Sequence, residues 1–250
     1  CACLSFQNFW YNLNKSLTKL DSEPIAVITF KYHTAQRKFM ERVVWDRLRQ
    51  NSPVYAGDTV RIAPQSEATV YFTDGNIIDL SENTLAQLFL KKNAKAKVNV
   101  NSGTVSVTTS GSGMQIQAGK SVVDVRGSSS VNTASDGALN VVVTDGTASV
   151  AAGGETTEVA AGKALTVTES GNTEEPLVTV LAPAHNSRIL NYDTTPLTIP
   201  FTCRYTGTQK MKAMIELSED SAFTSPDRKT FDSIEKTSVQ VAAASPWWKL

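Results

Sequence analysis

Apolar and polar positions alternate with a period of two along much of this chain, most regularly between Gly57 and Leu88. There Val60 and Ile62 share one face of a first run, Ala68, Val70 and Phe72 of a second, and Ile78 and Leu80 of a third. Side chains on a strand point alternately to opposite faces, so this pattern predicts three half-buried strands in a β-meander. Pro64 with Gln65-Ser66 marks one turn. Asp74-Gly75 marks the other and predicts a type I′ hairpin, whose two central positions need positive φ.

The same alternation predicts a strand over Ile25 to Tyr32. From Ala35 to Arg49 the pattern admits two readings, because Phe39, Val43 and Leu48 could also line an amphipathic helix among good helix formers. Residues 98 to 125 then align without a gap to 141 to 168 at an offset of 43, with ten of 28 positions identical. Two copies are too few for a propeller, so they predict paired windings of short strands that bury their apolar faces together. Gly103 with Gly146, and Gly119 with Gly162, are expected at matching turns, with φ > 0 where only glycine is unstrained.

Beyond Thr168 the pattern stops. Residues 169 to 176, ESGNTEEP, hold three glutamates and no aliphatic side chain, which predicts a solvated linker. Strand-like runs resume at Leu177 to Leu181, Leu197 to Tyr205, Met211 to Ser218 and Ser238 to Ala242.

Composition sharpens this picture. Val, Thr, Ser, Gly and Asn crowd the middle of the chain, as in all-β proteins. The 250 residues suffice for two modest cores. With 24 basic and 24 acidic residues the net charge is zero, which argues against a nucleic-acid partner held by bulk charge. Four lysines within 91 to 97 come without aromatics and read as a solvated connector or a protected strand edge. Three cysteines, Cys1, Cys3 and Cys203, form neither a disulfide framework nor a metal motif. At the N-terminus Leu4, Phe6, Phe9, Trp10 and Tyr11 precede a polar stretch, like the outer end of a membrane-spanning helix. The expected anchor therefore lies mostly upstream; an amphipathic helix on the protein or a lipid-modified Cys1 are the alternatives.

Candidate chemistry is sparse. Gly113 to Ser121 nearly spells a phosphate-binding loop, but five residues separate its glycines and a strand follows where a helix is required. His33 and His185 stand alone, without a nucleophile elbow. Asp58 and Asp74 are explained by turns and Asp79 by an outward strand position, so a carboxylate pair for glycoside hydrolysis is not indicated. Glu216, Glu219, Asp220 and Asp227 cluster without a calcium-loop frame. No catalytic residue, metal or cofactor is expected.

Gly57-Asp58-Thr59-Val60-Arg61, Ala68-Thr69-Val70 and Asp74 to Leu80 together resemble the core of the FecR domain, a bacterial extracytoplasmic module. Trp45, Leu48, Pro53 and Val54 are similar to the approach to that core. Val125 to Ser128, including Arg126 and Gly127, Val143 to Val150 and Ala161-Gly162-Lys163 resemble its later strands and turns. The resemblance implies a strand through Arg37 to Met40 and a buried Trp45. It also implies structural roles for Gly57, Asp58, Arg61, Asp74, Gly75, Arg126 and Gly127.

After the linker, Leu181-Ala182-Pro183, Phe201-Thr202-Cys203, Ile215 to Asp220 ahead of Phe223, and Trp247-Trp248 resemble the strands of a fibronectin type III or immunoglobulin-like sandwich. Cys203 stands where a tryptophan is usual, and a full sandwich of ~7 strands needs ~100 residues. The expected organisation is therefore all-β: residues 1–24 as the end of a membrane anchor, 25–168 as a FecR-like domain, 169–176 as the linker and 177–250 as a partial sandwich. Function is expected to be non-enzymatic, at the periplasmic side of an inner membrane. The leading reading is a scaffold for other envelope proteins or cell-wall glycan. A FecR-type transducer acting on a sigma factor is the alternative, and an accessory module of a carbohydrate-active enzyme is a distant third.

Overall fold

The computed structural model describes residues 22–134, 137–183, 189, 195–207, 212–218, 225–232, 236–241 and 247–249. Residues 1–21 of the anchor segment expected at 1–24, and His185, Asn186, Met211, Glu219, Asp220, Phe223 and Ala242, lie outside the described residues.

Among the described residues every regular element is a strand. The first fifteen are β1 (Ala26–Tyr32), β2 (Ala35–Lys38), β3 (Asp46–Arg47), β4 (Pro53–Val54), β5 (Thr59–Ile62), β6 (Glu67–Phe72), β7 (Ile77–Leu80), β8 (Leu85–Phe89), β9 (Ala96–Thr108), β10 (Met114–Ala118), β11 (Ser121–Thr133), β12 (Leu139–Ala152), β13 (Glu155–Ala160), β14 (Ala164–Val167) and β15 (Thr173–Glu174). They form one continuous hydrogen-bonded system. The inward residues of the meander, Val60, Ile62, Ala68, Val70, Phe72, Ile78 and Leu80, are all essentially inaccessible, as their alternation requires.

The three long strands β9, β11 and β12 each change neighbours halfway. In β9, Lys97 to Val100 pair with β8 and β10, while Val105 to Thr108 pair with β7 and β11. In β11, Ser121 to Val125 pair with β10, while Ser128 to Thr133 pair with β9. In β12, Leu139 to Val142 pair with β14, and Thr147 to Ala152 with β13. Both halves feed one apolar cluster that contains Val98, Val107, Val123, Val131, Val141 and Val150. Each long strand thus crosses from one layer of a sandwich to the other, and strands that switch sheets need a bend.

Glycine supplies that bend. Gly103, Gly127 and Gly146 have φ of 93°, 110° and 76° inside β9, β11 and β12, the backbone region glycine alone adopts without strain. Gly127 and Gly146 face each other across the ladder. A Cβ on Gly146 would lie 2.0 Å from the Arg126 carbonyl oxygen, and one on Gly127 would lie 2.3 Å from that of Asp145. Gly103 backs onto Thr84, whose Cα would be 2.5 Å from an added Cβ.

The repeat is visible in the element bounds, since β9, β10 and β11 begin 43, 41 and 43 residues before β12, β13 and β14. Gly119 and Gly162, at φ 57° and 77°, both turn the chain between strands. Gly103 and Gly146 instead occupy bends within strands, which corrects the expectation of turns. Nor are the windings equivalent: β10 lies parallel to the first half of β9, whereas β13 lies antiparallel to the second half of β12. Shared apolar spacing fixes which face is buried, but not which neighbour supplies the ladder.

Two further expectations change. Of the loop residues only Gly75 has positive φ, 88°, and Gly75 N–H donates to the Phe72 carbonyl at 3.0 Å while Phe72 N–H donates to that of Asn76 at 2.8 Å. This is a three-residue loop with a left-handed third residue, not a type I′ turn. The stretch 169–176 is tied to the sheet: Thr168 to Asn172 form a loop of the same hydrogen-bond pattern, and Thr173 and Glu174 pair with Val167 and Thr166.

The remaining strands form two sheets of three. One contains β16 (Val178–Ala182), β17 (Leu197–Tyr205) and β20 (Lys236–Val241); the other contains β18 (Ala213–Ser218), β19 (Asp227–Phe231) and β21 (Trp247–Lys249). Ile199, Phe201, Val239 and Val241 from the first meet Ile215 and Leu217 from the second in a separate core. Cys203 is buried on β17.

Gly146→Ala is expected to destabilise the fold by more than about 2 kcal/mol, because strained φ and the clash with a carbonyl oxygen add. Gly119→Ala, with nothing within 4 Å of the new Cβ, should cost only about 1 kcal/mol. Urea unfolding of the two variants measures the difference; equal losses would refute the close-approach explanation.

Candidate functional site

Asp58 immediately precedes β5 and is fully buried, as is Arg37 on β2. The two strands pair directly, with Arg37 opposite Val60. Arg37 occupies the inward position between Ala35 and Phe39, where period two places an apolar residue. Its Nε lies 3.8 Å from Asp58 Oδ2, long for a hydrogen bond, so the attraction is largely coulombic. The same Asp58 oxygen accepts the Tyr55 N–H at 2.9 Å, and Asp58 N–H donates to the Tyr55 carbonyl at 3.1 Å. Arg37 Nη1 donates to the Pro53 carbonyl, and the guanidinium lies 4.1 Å from the centre of the Phe39 ring. Burial pushes the guanidinium below its ordinary range, and Asp58 opposes that shift.

The other expected residues are spread over the fold. Gly57, at φ 84°, packs on Met40 and donates its N–H to the Leu88 carbonyl at 2.8 Å. Arg61 is exposed on β5, donates to Gln36 and lies 4.7 Å from the Trp45 ring centre. Trp45 is half-buried rather than buried, because its ring rests on the outer sheet surface between Arg61 and Lys38. Asp74 accepts the backbone and side-chain N–H groups of Asn76. Asn76, fully buried, bonds onward to Gly113 O and accepts from Ser110 N–H, so this loop is fastened to the one before β10. The Gly162 carbonyl accepts from Arg204 at 3.1 Å.

Arg126 joins Lys95, Asp124, Thr147, Ser149 and Glu158 around an open polar groove of about 280 Å³ on the outer face of β11 to β13. Lys95 and Asp124 form an ion pair across it at 3.2 Å. The lysine run therefore leads into β9, which is paired on both sides and is no sheet edge.

The chemical false leads stay apart. Gly113 and Gly119 flank β10, a strand rather than a helix start. His33 is exposed and stacks on Tyr32 at 4.0 Å. Asp79 accepts from Thr69 at 2.6 Å on an outward face, away from the buried Asp58. Glu216 is bonded to Arg228 and Asp227 is paired with Lys229. Among the described residues no group of three or more His, Cys, Asp or Glu side chains could hold a metal ion. Among them, too, no helix is long and apolar enough to cross a membrane.

Asp58, strands β5 to β7 of the meander and all three glycine bends lie within one stretch of the chain. Residues 58–149 match the FecR protein family. The matched segment runs from the buried aspartate into the second half of β12. An uncharacterized protein of Treponema pallidum is 27% identical over 125 residues, which is 49% of this chain and 19% of that protein, so the chain spans under a fifth of that relative. Two crystal structures of a candidate anti-sigma factor from Parabacteroides distasonis are similar at 16% identity and a TM-score of 0.42, over 47% of this chain and 58% of theirs.

Sequence reasoning passed over Arg37, Asn76 and Thr84, all buried polar residues. Arg37 carried a signal, an arginine at an inward position of an alternating run. Asn76 and Thr84 carried none, since Ser110 and Gly113, which hold Asn76, and Thr104, which holds Thr84, lie 20 or more residues away along the chain.

Arg37→Met is expected to cost about 3–5 kcal/mol, the penalty for leaving a buried carboxylate without its countercharge. In a double-mutant cycle with Asp58→Asn the two losses should fall short of additivity by at least about 1 kcal/mol. Thermal or urea unfolding provides the measurement, and additive losses would show that the pair is not coupled.

Proposed function

We propose that this protein is the extracytoplasmic part of a FecR-type transmembrane signal transducer, with no enzymatic activity of its own. The FecR match over residues 58–149 carries this reading. It reverses the order of the two functions expected from sequence, in which the scaffold came first. The resemblance implies that such proteins receive a stimulus outside the cytoplasm and pass it through a membrane helix to a sigma-factor regulator.

The way the chain joins the sheet supports transmission. Ile25 N–H donates to the Val54 carbonyl at 2.8 Å, and its own carbonyl accepts the Thr73 N–H at 2.9 Å. The segment before residue 25 is thereby coupled to β4 and to the loop after β6, and through β6 to the core. In this reading residues 1–24 adjoin the membrane, 25–168 form the FecR-like unit, and 177–250 form a fibronectin- or immunoglobulin-like unit that meets other envelope components.

Two measurements test the proposal in the organism that encodes the chain. An alkaline phosphatase fusion after Leu250 should be active, which reports export. Deleting residues 25–168 from the chromosomal gene should change transcripts from a small set of promoters that share one sigma-factor recognition sequence. An unchanged transcript profile, with the protein retained on cell-wall glycan or envelope proteins, would return the scaffold reading to first place.

A further inference from the structure

The loop between β2 and β3 exposes its apolar residues. Met40, Val43 and Val44 are 66%, 89% and 69% accessible, and they lie within five residues. The base of the loop prevents them from turning inward. Phe39 already fills the interior position and is flanked by the Arg37 and Arg42 guanidiniums, 4.1 and 5.0 Å from its ring centre. Arg42 N–H closes a turn onto the Phe39 carbonyl at 3.0 Å. A helix through 35–49 would have drawn Val43 onto the core side with Phe39; the strand and turn leave it outside.

The surroundings of this tip are cationic and aromatic. Trp45 lies between Lys38 and Arg61, with ring-centre distances of 5.6 and 4.7 Å. With Arg42 and Arg47 these give four cations against Glu41 and Asp46. Aliphatic side chains at a tip, a tryptophan at its base and basic residues around it match the layers of an anionic bilayer surface, where chains, interface and headgroups follow in that order. Position agrees: Phe39 packs 6.0 Å from Tyr55, and the neighbouring Val54 receives the first hydrogen bond of Ile25. The apolar tip therefore sits at the end of the sandwich where Ile25 enters it.

We propose that the loop from Phe39 to Asp46 is a membrane-contact loop, which inserts Met40, Val43 and Val44 into a lipid surface rich in anionic headgroups. The proposed function, with its anchor before residue 25, sets which way the loop faces; the lipid contact itself does not require that anchor.

The test is amide hydrogen exchange of the whole chain, read by mass spectrometry, in buffer, with phosphatidylcholine vesicles, and with vesicles that also contain phosphatidylglycerol. Peptides covering residues 39–46 should exchange at least about threefold more slowly with the anionic vesicles than in buffer, and less so with the neutral ones. The exposed double variant Val43→Glu/Val44→Glu should lose that slowing while its circular dichroism stays unchanged. Slowing confined to residues 1–24 overturns the proposal. So does slowing of 39–46 that grows with protein concentration without lipid, which would assign the loop to a second copy. Protection of 39–46 that is equally strong in plain buffer overturns it as well, because the chain's own N-terminal segment would then cover the loop. Protection of 39–46 without protection of 1–24 supports the loop and counts against the anchor alone.

Discussion

The fold depends on two backbones that approach too closely for any side chain between them. Where Gly127 and Gly146 face each other, an added Cβ on either would fall within about van der Waals contact or less of the opposing chain. That approach lets β11 and β12 bend together and pass as a pair from one layer to the other. Gly103 does the same for β9 by resting on Thr84. Without coordinated bends, each long strand would end at the layer boundary and leave its ladder unsatisfied there. One apolar core then forms because both halves of every long strand contribute alternate residues to it.

The bends fix one region of the sandwich, and the buried Arg37–Asp58 pair fixes another. Removing two charges from water is costly, and their attraction at 3.8 Å repays only part of the cost. What the arrangement does achieve is connection: the carboxylate holds Tyr55 N–H, the guanidinium holds the Pro53 carbonyl, and β2 and β5 run side by side. The same guanidinium lies against Phe39 and so sets where the interior stops and the exposed loop begins.

How much of this was legible in the sequence varied with the range of the interactions. The meander was legible, because period two within a strand depends on that strand alone, and the inward residues Val60, Ile62, Ala68, Val70, Phe72, Ile78 and Leu80 are buried as their spacing demands. Repeat boundaries were legible because ten of 28 aligned positions are identical. The roles of Gly103 and Gly146 were not: a glycine in a β-rich stretch is compatible with a turn or a bend, and only the facing chain decides. Asp74-Gly75 was placed correctly as a hairpin tip, while its turn type depended on the fastening of Asn76 to the 110–113 loop. Trp45 was expected inside, but its neighbours Lys38 and Arg61 hold it on the surface. The candidate surface loop was hidden in the helix-or-strand ambiguity of residues 35–49, since its apolar residues look like core until their partners are known.

The attachment of β1 has a mechanical side. β1 runs antiparallel to β6 over most of its length and meets β4 at its beginning. A pull directed along the axis of β1 would load its cross-strand bonds together instead of parting them one after another. A chain tethered at that point would carry tension into the sandwich as shear, and the core would move with its tether before the first strand peeled away.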